Sequence, residues 1–447
     1  MSAVAAGRRR APAAPRGERP KRRPRASAPQ PLEQRILLTA TLCLLAFGAV
    51  MVYSASSATT LLQGRGNGSR YLVKFLVYGA IGLVLMRVLA RDGLARVQAL
   101  VAPLLFASFV LVLAVHVPHL GVSVNGARRW LGTGPLQFEP SELMKLALLL
   151  YAATLLAKRP QRVHDLGELA RPLLVVVGGA CLLIGTEPDL GSAMVVTCTT
   201  TALLVAAGIP LRKLALVLGG LAGLVFLYAL VRPYARARLT SFVNPWAHAA
   251  GSGFQAVQGQ IAIGSGGLFG AGPGQSVQKI FYLPEAPTDF ILAVIAEELG
   301  VIGVGALLFL YGMIAYAGLS VARKARSTYS ALMAVGLTSL ILSQALLNMF
   351  AVLGMAPLTG VPLPFVSYGS SSLIVMLSAM GLLLNVAGGG GGHLRAVPAG
   401  RRRSVDGRGR ESPRWGREPG PQEDRDRRRR DGGARRARAG GGRGAAR

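Results

Sequence analysis

Ten apolar windows dominate the sequence, and each is long enough, or nearly so, to cross a lipid bilayer as a helix. A hydrocarbon core of about 30 Å requires roughly 20 apolar residues in helical form. The windows lie near 36–57, 71–90, 98–118, 141–158, 172–187, 189–207, 211–232, 289–320, 328–354 and 364–387. We therefore predict an all-α integral membrane protein, a bundle of about ten transmembrane helices.

The basic residues are concentrated at the two ends of the chain. Residues 1–35 hold ten Lys/Arg against two Glu, and residues 388–447 hold eighteen Arg against seven Asp/Glu, which is most of the net charge of +30. Both ends are rich in Pro, Gly, Ala and Arg without an apolar pattern, so we predict disordered tails. Basic tails beside membrane spans attract anionic lipids. We expect lipid, and no nucleic acid, as their partner.

The loops between the windows predict the orientation of the bundle. An even number of spans places both tails on one side, and the excess of Lys and Arg makes that side the cytoplasm. The predicted cytoplasmic loops carry basic clusters, such as Arg323, Lys324 and Arg326, whereas the longer outer loops hold fewer basic residues. We predict a membrane domain at 36–387 with both termini in the cytoplasm.

The longest predicted outer segment, residues 233–288, separates spans seven and eight. Phe254, Val257 and Ile261 recur at helical spacing, which predicts a short amphipathic helix at the outer interface. A glycine-rich stretch, Gly264 to Gly274, follows it. Its glycines are compatible with close backbone approach or with a flexible linker.

This glycine-rich stretch leads into Tyr282-Leu-Pro-Glu-Ala-Pro-Thr-Asp-Phe290 and then into an apolar window. Two prolines restrict the backbone before Asp289, so its carboxylate is held at the mouth of a membrane helix. A purely structural interpretation has Thr288 capping the helix and Asp289 complementing the helix dipole. Deeper in the window, Glu297 and Glu298 should both be paired inside the bundle.

Several other charged residues lie near the predicted outer face, where each charge needs a physical reason. Lys145 is three residues from Glu142 on one helix face, which favours structural pairing over ligand contact. Asp189 follows Glu187-Pro188 and opens a span, much as Asp289 does. Carboxylates and cations at such a cavity suit sugar transfer from a polyprenyl diphosphate, which needs a base and a cation for the leaving group. Transporters and lipid flippases show the same charge inventory.

Six motifs occur in order along the chain. They are Gly126-Ala-Arg-Arg-Trp-Leu131, Gln137-Phe-Glu-Pro-Ser-Glu142 with Lys145, Gly185-Thr-Glu-Pro-Asp-Leu-Gly191, Gln260-Ile-Ala-Ile-Gly-Ser-Gly-Gly-Leu-Phe-Gly270, the Tyr282 to Phe290 stretch, and Pro362-Leu-Pro-Phe-Val-Ser-Tyr-Gly-Ser-Ser-Ser372. With these motifs the sequence resembles the SEDS family, the FtsW/RodA/SpoVE group. The resemblance covers about residues 36–387. Within the family, Tyr-Leu-Pro-Glu-Ala ahead of Thr-Asp-Phe is most like the division branch.

The resemblance implies a peptidoglycan glycosyltransferase that polymerises lipid II outside the cytoplasmic membrane at the septum. It also implies a class B penicillin-binding transpeptidase and other divisome membrane proteins as partners. Asp289 matches the family's essential aspartate, the expected base. The family positions predicted to bind substrate are Arg128, Arg129, Trp130, Lys145, Asp189, Glu285 and Ser367. Without its motif, Trp130 would be an interfacial anchor, and Ser367 favours packing or lipid-headgroup contact over a nucleophile.

Two departures from the family pattern concern the expected Mg²⁺ or Mn²⁺. Pro287 stands where the family usually has His, and Phe281 where the division branch often has an acidic residue. No metal ligand is assigned. An elongation polymerase, a lipid II flippase and a scaffold for a transpeptidase remain alternatives, although a flippase needs charges accessible from both faces.

Overall fold

The computed structural model describes residues 31–64, 68–124, 127–132, 137–158, 171–210, 212–215, 219–220, 223 and 233–390. The predicted seventh span, 211–232, lies mostly outside the described residues. Most of the two predicted tails also lies outside the described residues. The structure describes only the end of the tail at 1–35 and the first three residues of the tail at 388–447. The first helix begins at Leu32, inside the predicted N-terminal tail.

The described residues are mostly helical. The helices are α1 (Leu32–Leu62), α2 (Arg70–Val115), α3 (Pro140–Lys158), α4 (Arg171–Thr186), α5 (Leu190–Ala206), α6 (Pro233–Val243), α7 (Phe254–Gly266), α8 (Ile291–Lys324), α9 (Thr328–Val352) and α10 (Ser370–Ala387), with a 3₁₀ turn at Trp246–His248. The predicted outer segment therefore contains two helices, of which α7 coincides with the Phe254 periodicity.

Seven stretches of these helices are long and apolar enough to cross a membrane. The second and third predicted spans correspond to Arg70–Leu94 and Arg96–Val115, two helical segments of α2 on either side of a kink at Asp92, where φ is −135°. The helices α4 and α5 are apolar but shorter. Nine of the ten predicted spans thus correspond to helices in the described part of the chain, and the count of ten is not confirmed.

A β-hairpin departs from the all-α prediction. Strand β1 (Gly121–Val124) pairs antiparallel with β2 (Ala127–Leu131), and Val122 lies opposite Trp130. Successive side chains of a strand point to opposite faces, and so Arg128 is exposed while Arg129 is buried. The strands are too short for their alternation to stand out beside apolar helices.

Close helix packing relies on small residues, as is common in membrane bundles. A Cβ on Gly381 of α10 would lie 2.5 Å from the Met86 carbonyl oxygen of α2. A Cβ on Gly48 of α1 would lie 2.7 Å from the Cα of Val366. The segment before α10 is therefore pressed against α1.

Two predicted helix starts are wrong. The last span begins at Ser370 and not at 364, because Pro362, Pro364 and the extended Gly369 precede it. The start of α8 is capped by Phe290 without a side-chain hydrogen bond, so Thr288 is not its cap. The Thr288 hydroxyl instead donates to the Glu285 carbonyl oxygen at 2.9 Å.

Candidate functional site

The segment that carries Asp289 is tied to the bundle by its backbone. The Tyr368 amide donates to the Pro287 carbonyl oxygen at 2.9 Å. The Asn348 side chain of α9 donates to the carbonyl oxygens of Asp289 at 2.7 Å and Val361 at 2.8 Å. One amide thus holds the 289 and 361 backbones together, and Asp289 is fixed two residues before α8 begins.

The Asp289 carboxylate is half-buried beside other polar groups. The Thr288 hydroxyl lies 3.3 Å from its Oδ1 and 3.1 Å from Oε2 of the exposed Glu285. Burial raises the pKa of Asp289 to about 7, the Glu285 charge adds to this rise, and Arg238 opposes it. Glu285 adopts φ of +55°, a left-handed conformation that is costly for a residue with a side chain. The turn is therefore held in place by its surroundings.

Arg129 reaches from β2 to the loop between α4 and α5. Its Nε donates to the Glu187 carbonyl oxygen at 3.1 Å, and its Nη2 donates to the Pro188 carbonyl oxygen. Its Nη1 lies 3.7 Å from Oδ1 of Asp189. The same Oδ1 accepts the Ser192 amide at 3.1 Å and caps α5, as predicted for a helix start. The guanidinium is thereby fixed in orientation.

Gly360 brings this arginine and the Asp289 carboxylate together. A Cβ built on Gly360 would lie 3.7 Å from Nη1 of Arg129 and 3.8 Å from Oδ2 of Asp289. Gly360 itself is exposed and has φ of +71°. A carboxylate and a guanidinium therefore lie beside the same exposed glycine.

Two further carboxyl groups surround Arg129. Burial, with the charges of Asp189 and Glu139, raises the pKa of Glu187 to about 9. Burial also raises the pKa of Glu139 to about 8. Asp189 is buried too, but Arg129 and the Ser192 hydrogen bond hold the pKa of its carboxyl below the ordinary value. The ionised pair is thus Arg129–Asp189, and the two glutamates hold protons at neutral pH.

From the sequence, these two glutamates are charged residues near the predicted outer face without a specific role. Both oxygens of the buried Glu187 carboxyl have no hydrogen-bond partner among the described residues. The sequence signal for Glu187 was its place in the motif Glu187-Pro188-Asp189. In the structure, the carbonyl oxygens of the first two residues of this motif accept hydrogen bonds from Arg129.

Lys145 makes the structural pairing that the sequence predicted. Its Nζ lies 2.9 Å from Oε2 of Glu142, and both side chains are buried. It also donates to Gln344 Oε1 at 2.9 Å, and the Gln344 amide donates to Ser372 Oγ at 2.9 Å and to the Pro362 carbonyl oxygen at 3.2 Å. This buried network joins α3, α9 and α10 beneath the 361–369 segment.

Three predicted substrate-binding residues are not seen to join Arg129 and Asp289. The exposed Arg128 has its side-chain stem against Gly121, where a Cβ would lie 2.8 Å from its Cδ. Trp130 lies on β2 with partial exposure. Ser367 is buried, and its hydroxyl accepts the Leu363 amide at 2.9 Å. Their roles in substrate binding stay predictions.

Among the described residues, no group of three or more His, Cys, Asp or Glu side chains could hold a metal ion. The described chain therefore lacks a cation cage built from protein ligands alone.

Comparisons with known proteins show the family of this chain. A family model described as "Cell cycle protein" and built on FtsW, RodA and SpoVE matches residues 34–389. The chain is 40% identical over 357 residues to the probable peptidoglycan glycosyltransferase FtsW of Coxiella burnetii, covering 78% of this chain and 95% of that protein. It is 39% identical over 354 residues to stage V sporulation protein E of Bacillus subtilis, covering 79% and 96%.

Solved structures show the same architecture. The rod shape determining protein RodA of Thermus thermophilus matches with a TM-score of 0.57 and 31% identity, over 78% of this chain and 95% of that chain. A chain of a peptidoglycan synthase complex that coordinates polymerization and crosslinking matches with a TM-score of 0.64 and 31% identity, over 78% and 96%.

Proposed function

This chain belongs to the FtsW/RodA/SpoVE family, most like FtsW, and on that premise we propose that Asp289 and Arg129 form the reaction centre of a lipid II polymerase. Like the relatives it matches, it is a peptidoglycan glycosyltransferase and a multi-pass protein of the bacterial inner membrane. The observation that carries the proposal is the convergence of Arg129 and Asp289 beside the exposed Gly360.

Asp289 acts as the general base. Its carboxylate takes the proton of the acceptor sugar hydroxyl as the oxygen attacks the anomeric carbon of the donor. The new oxygen–carbon bond forms as the bond to the diphosphate breaks, and the polyprenyl diphosphate leaves with the electron pair. One displacement of this kind inverts the anomeric centre. A pKa near 7 suits a base that works close to neutral pH.

Arg129 stabilises the negative charge that develops on the leaving diphosphate. Its contacts to the Glu187 and Pro188 carbonyl oxygens and to Asp189 hold the guanidinium in one orientation before substrate binds. Preorganised cations of this kind need no rearrangement during the reaction. Arg238, which lowers the pKa of Asp289, adds positive charge near this carboxylate.

A divalent cation remains part of the proposal. Mg²⁺ binds through one or two carboxylates together with substrate phosphates, so a complete protein cage is not required. Asp289 and Glu285 are the carboxylates placed to share such an ion with the diphosphate. The ion would supply further neutralisation of the leaving group.

We also propose the partners and the setting. A class B penicillin-binding transpeptidase would cross-link the strands, supported by the likeness to a chain of a peptidoglycan synthase complex. Other divisome membrane proteins, a septal location, cytoplasmic termini and lipid contacts of the basic tails follow from the resemblance and the charge distribution.

One reconstitution separates the enzyme from a carrier or a scaffold. Purified protein and its cognate transpeptidase are placed in liposomes with labelled lipid II, and glycan strands and lipid II translocation are both measured. The proposal expects strands. Translocation without strands identifies a carrier, and a bound partner with neither activity identifies a scaffold. Either result overturns the proposal.

A further inference from the structure

A second cluster of charged side chains lies where α8 is broken. Nζ of Lys279 is 2.7 Å from Oε1 of Glu298, and the two side chains are 4% and 1% exposed. The Ser54 hydroxyl of α1 is 2.7 and 2.8 Å from the two oxygens of that carboxylate. The Lys279 ammonium also donates to the Gly274 carbonyl oxygen at 2.8 Å. We call Ser54, Lys279 and Glu298 the clasp.

The neighbouring carboxylate strengthens the same connection. Glu297 accepts the Ser276 hydroxyl at 2.5 Å, the Val277 amide at 2.9 Å and the Gln278 amide at 3.3 Å. Both glutamates are therefore paired inside the protein, as the sequence predicted. Glu297 bonds the segment just before Lys279, and so residues 276–279 are held at four successive positions.

The backbone of α8 departs from helical geometry at Gly300, next to Glu297 and Glu298. Gly300 has φ of +64°, and a Cβ there would lie 2.5 Å from the Gly270 nitrogen. Residues 267–272 occupy the break: the Ala271 and Gly272 amides donate to the Glu297 and Glu298 carbonyl oxygens at 2.8 and 3.0 Å. Backbone groups freed in a membrane helix must find such partners. The break in α8 is therefore stabilised by specific backbone hydrogen bonds.

The clasp closes a loop around the candidate base. Lys279 and Glu298 are 19 positions apart in the chain, and Asp289 lies close to the middle of the segment between them. Joining the two ends removes many conformations of that segment. A buried ion pair contributes little net stability compared with apolar residues, but can specify one arrangement.

We propose that Lys279, through its ion pair with Glu298, is a positioning residue for Asp289. The proposal rests on the proposed function, because Asp289 is the base of that reaction. Loss of the pair loosens the Asp289 segment, which the Tyr368 and Asn348 hydrogen bonds still tie to the bundle, without removing a group that touches the substrate. A displacement of about 1 Å at a reacting group can cost about a hundredfold in rate.

The test replaces the pair by two apolar residues, Lys279→Met with Glu298→Met, since a buried pair exchanged in this way usually leaves stability intact. Amide hydrogen exchange is measured across 282–290 and, for comparison, across α9. The proposal expects exchange at 282–290 to rise about tenfold or more with α9 unchanged. The polymerisation kcat should fall about tenfold to a hundredfold with KM little changed, and Lys279→Arg should retain most of the rate.

The control is an exposed ion pair that joins α1 to α8, Glu33 with Lys324, whose lysine side chain is 70% exposed. Glu33→Met with Lys324→Met should change neither the exchange at 282–290 nor kcat. Where the Lys279/Glu298 double variant does not purify, Ser54→Ala takes its place and should raise the same exchange by a smaller factor.

A folded variant with wild-type exchange at 282–290 overturns the proposal. So does a fall in kcat that follows only the amount of folded protein. Hydrogen exchange can be measured in an inactive protein. A wild-type protein that makes no strands would therefore refute the proposed function, whereas the hydrogen exchange at 282–290 would still test the role of the clasp.

Discussion

Nη1 of Arg129 and Oδ2 of Asp289 both lie close to one point beside Gly360, at 3.7 and 3.8 Å from the position of an added Cβ. The first residue belongs to a strand and the second to the turn before α8. Gly360 is exposed and has no side chain, so we expect a substrate that needs both a base and a cation to approach the two groups at this glycine.

Gly360→Ala should slow polymerisation by about tenfold, because its methyl group would occupy the position beside Arg129 and Asp289 where the substrate is proposed to bind. Alanine at φ of +71° is also strained, by about 1–2 kcal/mol. Gly64→Ala is the matched control, since Gly64 has φ of +63° and nothing within 4 Å of the added Cβ. Equal rates for the two variants at equal stability would contradict the assignment.

The pH dependence should report Asp289. A base works only when deprotonated, so the rate should rise as the pH increases through about 7 and then level off. Glu285→Gln removes the negative charge that adds to this raised pKa, and the rising limb should move to lower pH. The measurement is the polymerisation rate of both proteins across the neutral pH range. If the rising limb of the pH profile does not move in Glu285→Gln, then either Asp289 is not the titrating group or Glu285 is not its neighbour.

The two adjacent arginines should behave differently. Arg129→Ala leaves buried acidic groups without their cation, and removing one partner of a buried pair costs about 3–5 kcal/mol. Arg128→Ala, on the exposed face of the same strand, should cost less than about 1 kcal/mol. Thermal unfolding in detergent compares them. Similar losses would mean that the hairpin register is incorrect.

The buried Lys145 network should matter for stability more than for chemistry. Lys145→Met leaves Glu142 buried and unpaired, while Glu142→Gln with Lys145→Met removes both charges. The single variant should lose about 3–5 kcal/mol and the double variant should recover much of it. Rates per folded molecule should remain near wild type in the double variant. A rate that stays low in a stable double variant would instead assign Lys145 to substrate binding.

Local pattern explains what the sequence could predict. Nine apolar windows located eight helices, two of the windows falling in α2, since hydrophobic length is a local property. The Pro-X-Asp and Glu-Pro-Asp motifs located Asp289 and Asp189 at helix starts. Pairing of Glu142 with Lys145 followed from helical spacing. These inferences need only residues close to one another in the chain.

Contacts between distant segments explain what the sequence missed. The separation of Arg128 from Arg129 depends on a short hairpin, and the meeting of Arg129 with Asp289 at Gly360 depends on three separate segments. The alternative interpretation of Thr288 as a helix cap is not supported, because α8 begins only at Ile291 and Phe290 occupies the cap position. The partner of Glu298 could not be chosen among the basic residues until Lys279 was placed.

The most direct test of the central claim compares two aspartates that both stand at helix starts in this site. Asp289→Asn and Asp189→Asn are assayed for lipid II polymerisation with the cognate transpeptidase, at equal folded protein and equal complex formation. We predict that Asp289→Asn loses about 10²–10⁴-fold in rate with unchanged stability. We predict that Asp189→Asn keeps its cap on α5, loses stability through Arg129, and retains most of its rate per folded molecule. Strands from Asp289→Asn at the wild-type rate, or a loss confined to Asp189→Asn, would contradict the account.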